Sequence, residues 1–140
     1  MKKITFMLFC ALAMLIGFSA CSSDDNGDNV QMTNYVSITA DGNSIINEDN
    51  DEEVKFNILL AHTLKADASI CLSLQGNDGD IATITPTTIT LKAGEKTASF
   101  TVKSNKKSSL STPCILTVAA SFSDSNMKSD GKPATVTINP

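Results

Sequence analysis

The stretch TTITLKAGEKTASFTVK, residues 87–103, decides the fold. Ile89 and Leu91 stand two apart, KAGEK (92–96) turns about Gly94, and then Ala98, Phe100 and Val102 stand two apart between Thr97, Ser99 and Thr101. On an extended chain, side chains two apart share a face; a helix would need spacings of three and four. The segment therefore predicts two strands joined by a hairpin-like turn, apolar on one side and hydroxylic on the other. Threonine suits the solvated side because its branched Cβ fits the pleat.

The same period continues in both directions. Upstream, YVSITA (35–40) puts Val36, Ile38 and Ala40 on one face, and a DGN turn follows at 41–43. EVKFNILL (53–60) turns Val54, Phe56, Ile58 and Leu60 inward, and ASICLSL (68–74) does so with Ala68, Ile70, Leu72 and Leu74. GNDGD (76–80) is dense in turn formers, with a short strand after it at 81–84. Downstream, CILTVAASF (114–122) lines up Cys114, Leu116, Val118, Ala120 and Phe122, and ATVTIN (134–139) lines up Ala134, Val136 and Ile138. NKKSSLSTP (105–113) and SDSNMKSDGKP (123–133) read as polar loops. Short alternating strands at this spacing predict an all-β fold, an immunoglobulin-like antiparallel sandwich of about seven strands over residues 34–140.

Ahead of that domain the composition changes twice. Lys2 and Lys3 precede an apolar run, Ile4–Gly17, whose fourteen residues would make a helix of about 21 Å, short of the roughly 30 Å hydrocarbon core. Residues 1–20 thus read as a signal peptide to be set aside from the fold. Phe18-Ser19-Ala20-Cys21 resembles the lipobox of bacterial lipoproteins, with Phe18 in place of the usual leucine. The resemblance implies cleavage before Cys21 and its acylation, with more than one chain, because a single acyl chain holds only marginally. Residues 21–33 then read as an acidic flexible tether. Its opening, Cys-Ser-Ser-Asp-Asp, resembles the export tag of Bacteroidota-type surface lipoproteins and implies an outer-membrane address facing the medium.

Charge and composition narrow the function. The chain has 15 acids against 11 lysines and no arginine; two of those lysines precede Cys21, which leaves a net −6 from Cys21 onward. Such a chain is a poor partner for nucleic acid. His62 is the one histidine, placed at a strand end, and no G-x-S-x-G turn, zinc spacing or phosphate-cradling glycine loop occurs. An enzyme is not expected. Glycan recognition by ring stacking would have only Tyr35 to use, because tryptophan is absent and Phe56, Phe100 and Phe122 face inward. Beyond Cys10 and Cys21, two cysteines remain in an oxidising compartment, Cys71 on a polar face and Cys114 on a core face. Opposite parity argues against a bridge unless a bulge near Pro113 shifts the register.

Residues 48–103 also resemble a Calx-β-type repeat. The matching parts are EDNDEE (48–53), VKFNILL (54–60), GNDGDI (76–81) and TTITLKAGEKTASFTV (87–102). The resemblance implies calcium held at one end of the sandwich, and the candidate ligands by position are Glu48, Asp49, Asp51, Asp78 and Asp80. Where calcium-binding members carry a further acidic segment, this chain reads Asn105-Lys106-Lys107-Ser108-Ser109. Lysines there would repel the ion, so no cofactor is expected and EDNDEE reads as a solvated acidic run guarding a strand edge. The expectation is a non-catalytic, lipid-anchored envelope protein. Its partner would be a protein met through the loops, with a carbohydrate-binding surface lipoprotein as the rival and a calcium-binding domain third.

Overall fold

The computed structural model describes residues 32–140; the signal segment, Cys21 and residues 22–31 lie outside them. Ten strands follow one another: β1 (Asn34–Ala40), β2 (Ile45–Asn47), β3 (Glu53–Leu60), β4 (Ala68–Gln75), β5 (Ala82–Thr85), β6 (Thr88–Leu91), β7 (Thr97–Ser104), β8 (Cys114–Phe122), β9 (Met127–Ser129) and β10 (Ala134–Asn139). They form two five-stranded sheets, β5-β7-β3-β1-β9 and β2-β10-β8-β4-β6. Among the described residues there is no helix. The fold is an immunoglobulin-like sandwich, and the inward parity holds throughout. Val54, Phe56, Ile58, Leu60, Ile70, Leu72, Phe100, Val102, Leu116, Val136 and Ile138 are buried, while Ile38, Ala40, Leu74, Ile89, Ala98 and Phe122 pack against them. Phe56 and Phe100, opposite each other on β3 and β7, stack with ring centroids 5.1 Å apart at the centre of the first sheet.

Three details differ from the sequence expectation. The deciding stretch is not a hairpin: β6 pairs with β4 in the second sheet and β7 with β3 and β5 in the first, so KAGEK crosses between sheets. The loop 61–67 braces that crossing, because Gly94 N–H donates to Leu64 C=O (2.8 Å) and Leu64 N–H to Glu95 C=O (3.2 Å). Among the described residues the strand count is ten, because β2 and β9 have three residues each, too few to show a period. Two edge pairings are parallel, β1 with β9 and β10 with β2. The first strand breaks after Ala40, and Gly42, with a φ of 98° that glycine adopts without strain, lets β2 leave the first sheet for the second.

Both remaining cysteines are free, Cys71 exposed and Cys114 half-buried. They lie in one sheet rather than across the sandwich. Cys71 pairs with Thr88 and Ser121, whereas Cys114 pairs with Ile138 at the opposite end of β8.

The registers define two ends. At the entry end lie the start of β1 at Asn34, the end of β3 and the loops 61–67, 92–96 and 123–126. At the far end lie the end of β10 and the loops 48–52, 76–81 and 105–113. Strands of eight residues separate these ends by roughly 26 Å.

Candidate functional site

The far end is built around one carboxylate. Glu48 follows β2 and is only 1% exposed. Its backbone is fixed first: Glu48 N–H donates to Asn139 C=O (2.7 Å), extending the β2–β10 pairing, and Glu48 C=O accepts from Ser104 Oγ (2.6 Å). The side chain is thereby aimed at the loop 105–113. There Oε1 accepts from Ser109 N–H (2.9 Å) and Ser109 Oγ (3.0 Å), and Oε2 from Leu110 N–H (3.0 Å). Buried charge is costly unless hydrogen-bonded on all sides, and here both oxygens are. The Ser109 N–H is the main cause that holds the Glu48 carboxyl below its ordinary pKa, outweighing the burial that pushes it up, with help from Leu110 N–H and the Ser109 hydroxyl. Successive backbone N–H groups thus form an anion cradle, and the protein's own carboxylate fills it.

The other sequence-predicted ligands surround this loop without converging. Asp49 accepts from Ser108 Oγ. Asp51 meets Lys106 Nζ and, at 3.4 Å, Lys103 Nζ; the Lys106 hydrogen bond is the leading cause that lowers its pKa. Asp78 and Asp80 belong to the turn on the loop's other flank. There Asn105 Nδ2 donates to Asp80 C=O (2.8 Å), Asn105 Oδ1 accepts from Thr83 Oγ1 (2.6 Å), and Lys107 Nζ donates to Gly79 C=O (2.8 Å). Asn77 closes that turn by accepting from Ile81 and Ala82 N–H and donating to Ala82 C=O. The segment 105–110 therefore stands between the two acidic turns and bonds to each. Among the described residues, no three His, Cys, Asp or Glu side chains gather as a metal site requires.

Among the described residues three non-glycines have positive φ, namely Asp80 (59°), Lys106 (54°) and Ser108 (46°), and all lie at this end. Left-handed backbone is uncommon outside glycine and persists only where surrounding bonds impose it. Asp80 N–H donates to Asn77 C=O (3.2 Å) and its C=O accepts from Asn105 Nδ2 (2.8 Å), Lys106 N–H donates to Ser104 Oγ (3.1 Å), and Ser108 Oγ donates to Asp49; these bonds supply that constraint. The result is a fixed loop platform that carries Lys106, Lys107 and Asp78 to solvent.

Sequence reasoning missed the cradle. Nothing in EDNDEE marks the buried acid, and its partners lie about sixty residues away. The loop expectation also divides: GNDGD and NKKSSLSTP share the far end, whereas SDSNMKSDGKP begins at the entry end, contains β9 and crosses to the second sheet. A small cleft of about 40 Å³ lies beside that crossing, lined by Val36, Ile38, Ala120, Phe122, Asp130 and Lys132 among others. Its polar groups serve turns: Asp130 Oδ1 accepts from Lys132 N–H (3.0 Å) and Ser129 Oγ from Gly131 N–H (3.2 Å). His62 is exposed, with its backbone held by Asn34 at 2.9 Å on both sides.

No protein-family model matches the chain, and no curated protein does. Solved structures do. The apo form of the Calx CBD1 domain is similar at a TM-score of 0.56 and 14% identity, over 75% of this chain and 96% of that one. CBD12 from CALX1.2 is similar at 0.55 and 14%, over 73% of this chain and 43% of that one. The E. coli chaperone DraB is similar at 0.53 and 8%, over 76% of this chain and 55% of that one. At such identities the likeness is one of fold, and it supports the Calx-β-like, immunoglobulin-like sandwich.

Proposed function

We infer that this chain is a non-catalytic envelope protein, held at the outer membrane by acylated Cys21, that presents the far-end loops of its sandwich to a protein partner. The observation that carries the reading is the separation of roles between the ends. Asn34, where the tether would join, opens β1 at one end, and the immobilised platform of 76–81 and 105–113 stands at the other. Loops on a rigid scaffold are where binding concentrates, and a pre-ordered loop loses less entropy on contact. The platform mixes Lys106 and Lys107 with Asp49, Asp51 and Asp78 and offers no aromatic ring, which suits a charged protein surface better than a sugar ring.

The reading is tested in intact cells. A photo-crosslinking residue at Lys107 or Asp78 should yield a discrete adduct with one protein, and the same residue at Lys65 of the entry end should not. Adducts from Lys65 alone would overturn it. Retention of the chain on a polysaccharide gel would replace the protein partner by a glycan. A melting temperature raised by calcium and lowered by chelator would replace it by calcium. Palmitate labelling should vanish in Cys21→Ala; labelling or membrane retention that survives would remove the anchor.

A further inference from the structure

We propose that the outer face of the second sheet is a self-association surface on which two copies of this chain pack face to face about a two-fold axis. The first observation is the placement of charge. The sequences of β2, β4, β6, β8 and β10 (IIN, ASICLSLQ, TITL, CILTVAASF and ATVTIN) contain no Asp, Glu, Lys, Arg or His. The first sheet, of the same number of strands, carries Glu53 and Lys55 on β3, Lys103 on β7 and Lys128 on β9. A solvated sheet face ordinarily carries charge, which also keeps neighbouring molecules apart. One sheet of this molecule does both and the other does neither.

The second observation is what occupies the uncharged face. Ile45 on β2, Thr137 on β10 and Ile115 on β8 lie opposite one another in one row, with Ile45 45% and Ile115 65% exposed. Beside them, across β8 and β4, Thr117 lies opposite Gln75, Ala119 opposite Ser73 and Ser121 opposite Cys71, so that beyond Gln75 the centre is small and mostly hydroxylic. Small side chains let two sheets approach to the roughly 10 Å spacing of packed faces, and isoleucine at the margin supplies apolar area.

Electrostatics selects the occupant. Copies of this chain share one sign, net −6 from Cys21 onward by 9 lysines against 15 acids, so their contact costs least where no charge is carried. An isologous contact repeats one patch against itself and needs that patch to be self-compatible; an uncharged face is so in any register, whereas the face with Glu53, Lys55 and Lys103 is so only where opposite signs meet across the axis. Area permits it. Five strands at about 4.8 Å spacing and about 3.3 Å per residue give a footprint of about 500 Å², hence about 1,000 Å² over two copies, at the lower bound for a specific interface and suited to a reversible dimer.

Two measurements on the full chain in detergent test the proposal. In sedimentation equilibrium the protein mass should double with concentration. The variant Ser73→Asp/Thr117→Asp, which puts charge on the centre of the face without touching the core, should return it to one chain. The matched variant Ser99→Asp on the first sheet should leave the doubling intact. In the otherwise unaltered chain, alkylation of exposed Cys71 by a bulky maleimide should slow as concentration is raised through the transition, with Cys71→Ser supplying the background from other thiols. A chain monomeric throughout, a dimer indifferent to Ser73→Asp/Thr117→Asp, or Cys71 alkylation independent of concentration would each overturn the proposal.

Discussion

The two ends of the sandwich order their loops by different physics. At the entry end the loop 61–67 is held by an apolar plug and a neutral amide: Leu64 is buried, and Asn34 both donates to His62 C=O and accepts from His62 N–H. At the far end the loop 105–113 is held by a buried charge, the Glu48 carboxylate in its three-donor cradle. The first device depends chiefly on the area removed from water; exposed Asp67, which accepts from Ala93 N–H (2.9 Å) and Lys92 Nζ (2.9 Å), adds a solvent-screened, pH-dependent bond between loops 61–67 and 92–96. The second is strong only while the carboxyl is ionised. One scaffold thus carries one loop cluster held chiefly by a buried carboxylate and one held chiefly by buried apolar area.

The largest expected effect erases the first device. Leu64→Ala empties a site beneath the loop and should cost about 2–5 kcal/mol, the range for buried Leu-to-Ala changes. The comparison makes a sharper demand than the magnitude. Amide exchange should accelerate at 61–67 and at 92–96, which Leu64 braces through Gly94 and Glu95, before it does at 105–110. Equal acceleration at both ends would mean that the loops are coupled through the core and that the contrast fails.

Next comes Glu48→Gln, which keeps the shape and replaces one acceptor oxygen by an NH2 that faces backbone donors. Exchange should rise at 105–110 first, with 61–67 unaffected. The pH dependence follows from the sign of the shift. The folded pKa of Glu48 lies below its ordinary value of 4.5, so its contribution is complete above that value and is lost as pH falls through the folded pKa. Asp51, Asp67 and Asp130 are shifted the same way and add to the acid limb, but they are bonded near the surface, where solvent screens them. The far-end loop of the native protein should therefore loosen below about pH 4.5, ahead of the entry end, and in Glu48→Gln that pH dependence should shrink. An acid limb unchanged by the substitution would assign it to the exposed carboxylates instead.

How much of this the sequence carries depends on the distance over which each feature is encoded. Parity is local: Phe100 two residues from Ala98 and Val102 names the inner face without a partner, and every inward position so assigned is buried or packed against the core. Pairing is not local. The same strand pattern is compatible with KAGEK as a hairpin or as a crossing, and the choice rests on Leu64, about thirty residues away, receiving and giving the bonds that hold the turn. The three residues of β2 and of β9 are shorter than two periods. Glu48 is the extreme case. Among Glu48, Asp49, Asp51, Glu52 and Glu53 it differs by its environment alone, which the register of β10 and the placement of Ser109 and Leu110 create.

The smallest expected effect concerns the lysines, and it separates what fixes the platform from what the platform displays. Lys106 and Lys107 are exposed and reach Asp51 and Gly79 over the surface of a loop already held by Glu48. Exposed ion pairs gain little over water and lose side-chain entropy when they form. Lys106→Ala together with Lys107→Ala should therefore leave the melting temperature and the 105–110 exchange rates unchanged within measurement, while any adduct formed at Asp78 in cells diminishes. A variant that loosens the loop as much as Glu48→Gln would show that the lysines, rather than the buried carboxylate, hold the far end. The two outcomes are distinguished by salt: screening at high ionic strength would reproduce the lysine loss but would leave the cradle, closed over by Ser109 and Leu110, intact.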